Sequence, residues 1–270
     1  MGPAEVSQAR ENGFGPSYWD RVAEDVGQYY LIPPLSELKA EEYNRLLADW
    51  EIDRGGRMLF TDLYEAAHGQ AAFYQRSSEW CLGMDISPKM CVRARANDQE
   101  GRLAVLCADV REMPLAADRL DAIVSPSTLD HFPQIDSALR ECHRVLKPGG
   151  RIVLALNSAS NPLFRAGIRL AERFKGKEYH TDYFCTASQA RELLSRSGFS
   201  VGRSAALMHL PVGMTTVIEI LYRKRHPFLR RIGGWLIGAC RRWGRTQTSL
   251  KFLTGWWVAV EGIKAGGEEK

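Results

Sequence analysis

The chain has 270 residues, 45% of them hydrophobic and 25% charged. Those are ordinary proportions for a soluble globular protein with one substantial core, or a core plus an appendage. They exclude low-complexity and repeat architectures and name no function. The net charge of +4 conceals an asymmetry. Between Glu219 and Glu261 no acidic residue occurs, while Arg223, Lys224, Arg225, Arg230, Arg231, Arg241, Arg242, Arg245 and Lys251 are all basic. The other 27 basic residues face 32 acidic ones, a balance of −5. Six scattered cysteines, Cys81, Cys91, Cys107, Cys142, Cys185 and Cys240, form no C-x-x-C pair and no metal-ligand spacing, so no metal is expected. The first thirty residues lack a basic start followed by an apolar run, and the expected location is a reducing cytoplasm.

In chain order, residues 17–50 read as helices interrupted by Pro33-Pro34, with Tyr18, Trp19, Tyr29 and Tyr30 as bulky apolar positions. A helical cap over residues 1–54 is expected, followed by a main domain over 55–270. The middle of the chain alternates short apolar runs with helical patterns, the signature of βαβ units and a parallel sheet covered by helices on both faces. Expected strands are 57–62, 80–84, 103–108, 120–125 and 151–156. Ser87-Pro88 predicts a capped helix from Pro88 to about Asn97, with proline at the first helical position, where its missing N–H costs nothing. Ile135, Leu139, Cys142 and Leu146 recur at helical spacing, and Lys147-Pro148-Gly149-Gly150 predicts the stop and the turn into the next strand. Thr186 to Ser197 predicts a further capped helix, and Trp256 to Ile263 alternates like a late strand. A basic helical insertion over 213–255 precedes it.

In an open α/β sheet, ligands bind beyond the carboxyl ends of the strands. Asp85 ends the second expected strand, where a carboxylate can accept both hydroxyls of a ribose. It lies 21 residues beyond Tyr64, where the first glycine of a nucleotide-binding loop would stand. Asp109, in Ala108-Asp109-Val110, can take an adenine amine while Val110 packs on the ring. His131 and Asp130 follow the fourth strand and are candidate proton acceptors, with His209 as a second candidate base.

Taken in order, Gly83-Met84-Asp85-Ile86-Ser87-Pro88, Ala108-Asp109-Val110, Met113-Pro114-Leu115, Leu120 to Ser125, Leu129-Asp130-His131-Phe132-Pro133 and Arg144 to Gly150 resemble the class I S-adenosylmethionine-dependent methyltransferases. The resemblance covers roughly residues 55–158. It implies a Rossmann-like, seven-stranded, mostly parallel sheet with an antiparallel last strand, and S-adenosylmethionine as cofactor. It also implies that Asp85 holds the ribose and Asp109 the adenine amine, that Ile86, Ala108 and Val110 border the adenine, and that Ser125 walls the methionine part.

The loop after the first strand departs from the family. Its glycine positions hold Tyr64, Ala66 and His68, although Asp62 stands where the family keeps an acidic residue and Gly69 follows. One reading is a remodelled loop in which Asp62, Leu63, Tyr64 and Gly69 still hold the cofactor, with Asp62 or Glu65 on its amino group and the Tyr64 ring near the sulfonium. The other is a degenerate site on a non-catalytic binding or scaffold protein. A nicotinamide-dependent reductase is a further alternative, but it accounts for neither Met113-Pro114-Leu115 nor Lys147 to Gly150.

The expected reaction is methyl transfer to oxygen, nitrogen or carbon of a small-molecule or lipid-like acceptor. The basic stretch 223–251, with Trp235 and Trp243, can be a solvated insertion, a substrate lid, or a peripheral contact with anionic lipid at the inner membrane surface. A nucleic-acid role ranks behind these, because no RNA-binding module accompanies the charge.

Overall fold

The computed structural model describes residues 15–24, 32–52, 56–70, 81–131, 135–175, 183–211, 214–223, 226–246 and 248–266. Its strands are β1 (Met58–Phe60), β2 (Cys81–Asp85), β3 (Leu103–Cys107), β4 (Leu120–Pro126), β5 (Leu146–Ser158), β6 (Phe184–Cys185), β7 (Phe199–Leu207) and β8 (Trp257–Lys264). They form one sheet in the order β3-β2-β1-β4-β5-β8-β7, and the two-residue β6 adds to β5. Strands β1 to β6 pair in parallel, while β8 runs antiparallel between β5 and β7. The seven-stranded path with a reversed last strand agrees with the expectation, and β6 is an addition to it.

Side chains alternate strictly between two cores, as the two-residue period of a strand requires. Phe60, Val124, Val153 and Ala259 face one layer. Leu59, Ile123, Leu154 and Val260 face the other. The first layer is covered by helices α1 (Pro16–Glu24), α2 (Pro33–Asp49), α3 (Tyr64–Ala67) and α4 (Pro88–Asn97). The second is covered by α5 (Ile135–Val145) and α7 (Ala187–Arg196), with α6 (Pro162–Lys175) between them in sequence. Two caps form as expected. Ser87 accepts from Met90 N at 3.1 Å, and Thr186 with Gln189 makes a reciprocal capping box.

Three expectations shift. Pro33 and Pro34 do not interrupt a helix but open α2, occupying its first positions. Trp80, expected in β2, lies outside the described residues. The stretch Lys147 to Gly150 does not separate helix from strand, because α5 ends at Val145 and Leu146 already pairs with Leu120. Residues 147–150 loop out of β5 opposite Asp121 before Arg151 resumes pairing with Ala122. Gly149 takes φ +77° there, and a Cβ on Gly150 would stand 2.8 Å from Lys147 O. Lys147 Nζ binds Asp121 at 2.5 Å and closes the bulge.

The carboxyl end of α2 is held by a buried ionic knot on β8. Glu261, 3% exposed, pairs with Arg151 and, at 2.9 Å, with Arg203. The same two guanidinium groups donate to Trp50 O at 2.7 and 2.5 Å, satisfying a helix terminus that lacks intrahelical partners. Burial by itself raises Glu261, but the bonds from Arg203 and Arg151 outweigh it and take the carboxyl to about 2. Because the folded value lies below the unfolded one near 4.5, this contribution is complete above pH 4.5 and is lost as pH falls toward 2. Glu261→Gln is expected to cost roughly 3 kcal/mol at neutral pH, since it strands two arginines. It should also flatten the acid limb of stability between pH 4.5 and 2, as read by urea unfolding across that range.

Candidate active site

The carboxyl ends of β1, β2 and β4 converge on one group of acidic and hydroxyl side chains. At β1 the chain leaves through Thr61, Asp62 and Leu63 directly into the four-residue helix α3, which replaces a glycine turn. Leu63 makes this possible. Its side chain is fully buried and lies against Gly83 of β2, where a Cβ would overlap Leu63 Cδ2 and stand 3.1 Å from Leu103 Cδ1. The missing side chain that a glycine loop supplies on β1 is supplied here by the neighbouring strand. With Leu63 so anchored, its N–H donates to Asp85 Oδ2 at 3.2 Å, and Tyr64 N donates to Asp62 Oδ1 at 2.7 Å. The Tyr64 ring tilts over His68 at 4.2 Å between centroids. Gly69 ends α3 with φ +79°, as a helix-terminating glycine does.

Asp85 also accepts from Ser87 N at 2.8 Å, so each of its oxygens holds a backbone N–H, and lone-pair capacity remains on the carboxylate for hydroxyl donors. Burial raises its pKa to about 6 against the pull of the Ser87 and Leu63 N–H groups. As an acid with a raised folded value, it opposes folding above pH 6, and the opposition is relieved as pH falls toward 4. Burial, then the Glu65 and Asp85 charges, push Asp62 well above the usual carboxylate range. Lys39 from α2 pairs with Glu65 and stands 5.2 Å over the Trp257 ring. Buried Glu65 Oε2 has no hydrogen-bond partner among the described residues. Among the described residues Lys39 is the ammonium that pairs with Glu65 and acts on Asp62, an arrangement that suits a ligand bringing its own positive charge and vicinal hydroxyls.

Asp109 is less open. Arg111 grips it from the side, with Nη2 at 2.6 Å and backbone N at 2.8 Å, and these bonds hold its pKa low against burial. Val110 packs in the core beside Met84 and Met113, and Cys107 Sγ lies 3.9 Å from Ile86 O. Ser125 and Thr128 bracket Thr61 Oγ1 at 3.1 and 3.0 Å, which forms a hydroxyl wall between β1 and β4.

Neighbouring Asp130 and His131 part company. Asp130 is fully buried and accepts from Ser127 Oγ at 2.7 Å and from Asn157, tying the β4 exit to β5 while burial raises its pKa. His131 meets the edge of Trp19 at 4.8 Å, beneath α1. His209 has both ring nitrogens engaged, with Thr254 Oγ1 and Ala206 O at 3.0 Å each, and burial lowers its pKa to about 4.

Sequence reasoning did not single out Asp20, Lys39, Thr61 or Thr128. Asp20 takes Ser87 Oγ at 2.5 Å and Lys89 N at 3.1 Å, fastening α1 across the start of α4. Its only trace in the sequence is the bulky Tyr18-Trp19 pair beside it.

Together these define an α/β fold with a cluster of carboxylates at the carboxyl edge of its sheet. The methyltransferase domain model matches residues 66–154, beginning inside the divergent loop. The ubiquinone/menaquinone biosynthesis C-methyltransferase of Syntrophotalea carbinolica is 32% identical over 200 residues, 72% of this chain and 75% of that one. The chain belongs to the class I S-adenosylmethionine-dependent methyltransferases and uses S-adenosylmethionine to methylate a small molecule. The malonyl-[acyl-carrier protein] O-methyltransferase of Methylococcus capsulatus is 30% identical over 122 residues, 44% of this chain and 43% of that one. In fold, the chain resembles the structure of the Haloferax volcanii Trm112 methyltransferase activator with its methyltransferase, at a TM-score of 0.60 and 16% identity, covering 94% of this chain and 97% of that one.

The Leu63–Gly83 contact is open to a double-mutant cycle. Gly83→Ala is expected to cost roughly 1–3 kcal/mol in unfolding free energy by overpacking. It should also weaken S-adenosylmethionine binding by shifting the Leu63 N–H off Asp85. Adding Leu63→Ala should recover much of the affinity; two losses that simply add would show that the contact does not set the loop.

Proposed function

We propose that the chain methylates carbon or oxygen on the ring of a lipid-like, quinol-type acceptor, with the carboxylate cluster at the ends of β1 and β2 holding the cofactor. The observation that carries this reading is the buried set of Asp62, Asp85 and Glu65, with Lys39 paired to Glu65. In it Asp85 takes the ribose hydroxyls, and Asp62 with Glu65 takes the methionine ammonium. Tyr64 would stand near the sulfonium, Ser125 would wall the methionine part, and Ile86, Ala108 and Val110 would border the adenine. Asp109 would receive the adenine amine in place of part of its contact with Arg111. Leu63 acts through its backbone, and Gly69 frees the end of α3.

When bound, the cofactor supplies a methyl group already activated by its sulfonium. The chain's own work is alignment, exclusion of water and removal of one proton. Within the expected cap over 1–54, the described helices α1 and α2 serve that role, with Trp19 of α1 excluding water above the β4 exit. His131 takes the proton from the acceptor hydroxyl, and Asp130 fixes the turn that carries it. A ring acceptor suits the aromatic neighbour of the candidate base, where Trp19 borders His131. The ring chemistry of the quinone-methylating relative supports the same class of acceptor.

Transfer of labelled methyl from S-adenosylmethionine to a short-chain prenylated quinol, with none to a malonyl carrier protein, is the expected outcome; the reverse preference would overturn the acceptor class. His131→Gln should lower kcat by 10²–10⁴-fold and leave cofactor affinity unchanged. In calorimetry, S-adenosylmethionine affinity should rise with pH through about 6 as the Asp85 carboxylate forms to accept the ribose donors. Asp85→Asn should bind more weakly and lose that rise around pH 6, keeping only the dependence that Asp62 contributes.

A further inference from the structure

The helices before β8 turn an apolar face outward. These are α8 (Met214–Arg223), α9 (Pro227–Gly244) and the short α10 (Lys251–Thr254). In α9, Gly233, Ile237, Cys240 and Gly244 face inward, and the Tyr222 ring of α8 lies on Gly233 and joins the two helices. On the opposite side Phe228 and Trp235, two turns apart, are 62% and 65% exposed, with Ile232 between them. Val217 and Ile220 of α8 add 49% and 48%. Arg230, Arg231, Arg242 and Arg245 are exposed on the same helix or just past it, whereas Arg241 turns back to Glu41 at 2.7 Å.

From this face we infer a docking surface for an anionic lipid bilayer, on which α8 and α9 lie flat. Among the described residues no helix is long and apolar enough to cross a membrane. An amphipathic helix with aromatic and aliphatic residues flanked by arginines instead buries its apolar side at the headgroup boundary. Charge selects the occupant, since no acidic residue stands between Glu219 and Glu261 to oppose lipid phosphates. A second copy meeting this face symmetrically would bring the arginine cluster against itself. Nucleic acid would satisfy the arginines but leave Phe228, Ile232, Val217 and Ile220 in water.

The position also fits. α8 follows the carboxyl end of β7, which runs parallel to β5 through β8, so the hairpin stands at the sheet edge that holds Asp62 and Asp85. Leu35, Leu38, Met208, Leu210, Ile218 and Ile237 weld it to α2 there. The inference rests on the lipid-like acceptor for its purpose and on exposure and charge for its location.

Sedimentation of the full chain with phosphatidylcholine vesicles, with and without phosphatidylglycerol, tests it. Binding is expected only to the anionic vesicles and should fade with salt. Arg231→Gln and Arg242→Gln should each weaken it about fivefold. Trp235→Ala and Phe228→Ala should weaken it as well, while Val92→Ala, a residue exposed on α4, should not. Calorimetry with S-adenosylmethionine should be unchanged in all five variants. No binding to anionic vesicles, binding indifferent to the α9 substitutions, or a dimer in solution that Trp235→Ala dissolves would overturn the docking surface while leaving the methyltransferase reading intact. Loss of cofactor binding by the unmodified chain would bring down that reading instead.

Discussion

The site depends on one steric exchange, the Leu63 side chain occupying the space left by Gly83. A parallel sheet that binds a nucleotide at its carboxyl edge must bring the backbone after β1 close to the ligand. The ordinary solution is to remove side chains from that backbone. Here the side chain stays and the adjacent strand gives way. Leu63 then points into the core, leaving its N–H on Asp85 and letting α3 start at Tyr64 without an intervening loop. Glycine content in the loop is thus one way of meeting the requirement, and a glycine across the β1–β2 pair is another.

That exchange concentrates negative charge. Asp62 and Glu65 sit at the two sides of a buried turn, Asp85 faces them across it, and Lys39 reaches over from α2. Isolated buried carboxylates are costly, so such a cluster persists only where hydrogen bonds or a counter-charge offset the desolvation. The Leu63, Tyr64 and Ser87 N–H groups supply part of this. α2 is held at both ends for this role. Lys39 meets Glu65 near its start, and Trp50 O is clamped by the two arginines of Glu261 at its finish.

The strands that bear the site were legible because parallel strands buried on both faces read as continuous apolar runs. Ser87-Pro88 was legible because a cap is a local event. β7 was not, because Gly202 and Arg203 break its pattern where its pairing with β8 shifts register between Val201 and Ser204. The bulge at Lys147 to Gly150 looked like a stop because proline and two glycines serve both purposes; only the pairing of Leu146 with Leu120 decides between them. Asp20 and Lys39 act 67 and 26 residues from their partners, a separation that no local pattern encodes. The consequence of Leu63 was hidden for the same reason, since it needs Gly83 on the next strand.

The charge asymmetry bears on how the site meets its acceptor. Outside the segment between Glu219 and Glu261 the chain carries a balance of −5, and within it nine positive charges and no negative one. Near an anionic surface such a molecule experiences a torque as well as an attraction, because the body is repelled while the hairpin is drawn in. The hairpin stands on the carboxyl edge of the sheet, so the same torque turns the edge bearing Asp62 and Asp85 toward the surface. In the proposed docking, a lipid-like acceptor leaving the bilayer would meet the carboxyl edge of the sheet. Orientation of this kind needs no specific lipid contact, only the separation of the two charges within one rigid fold.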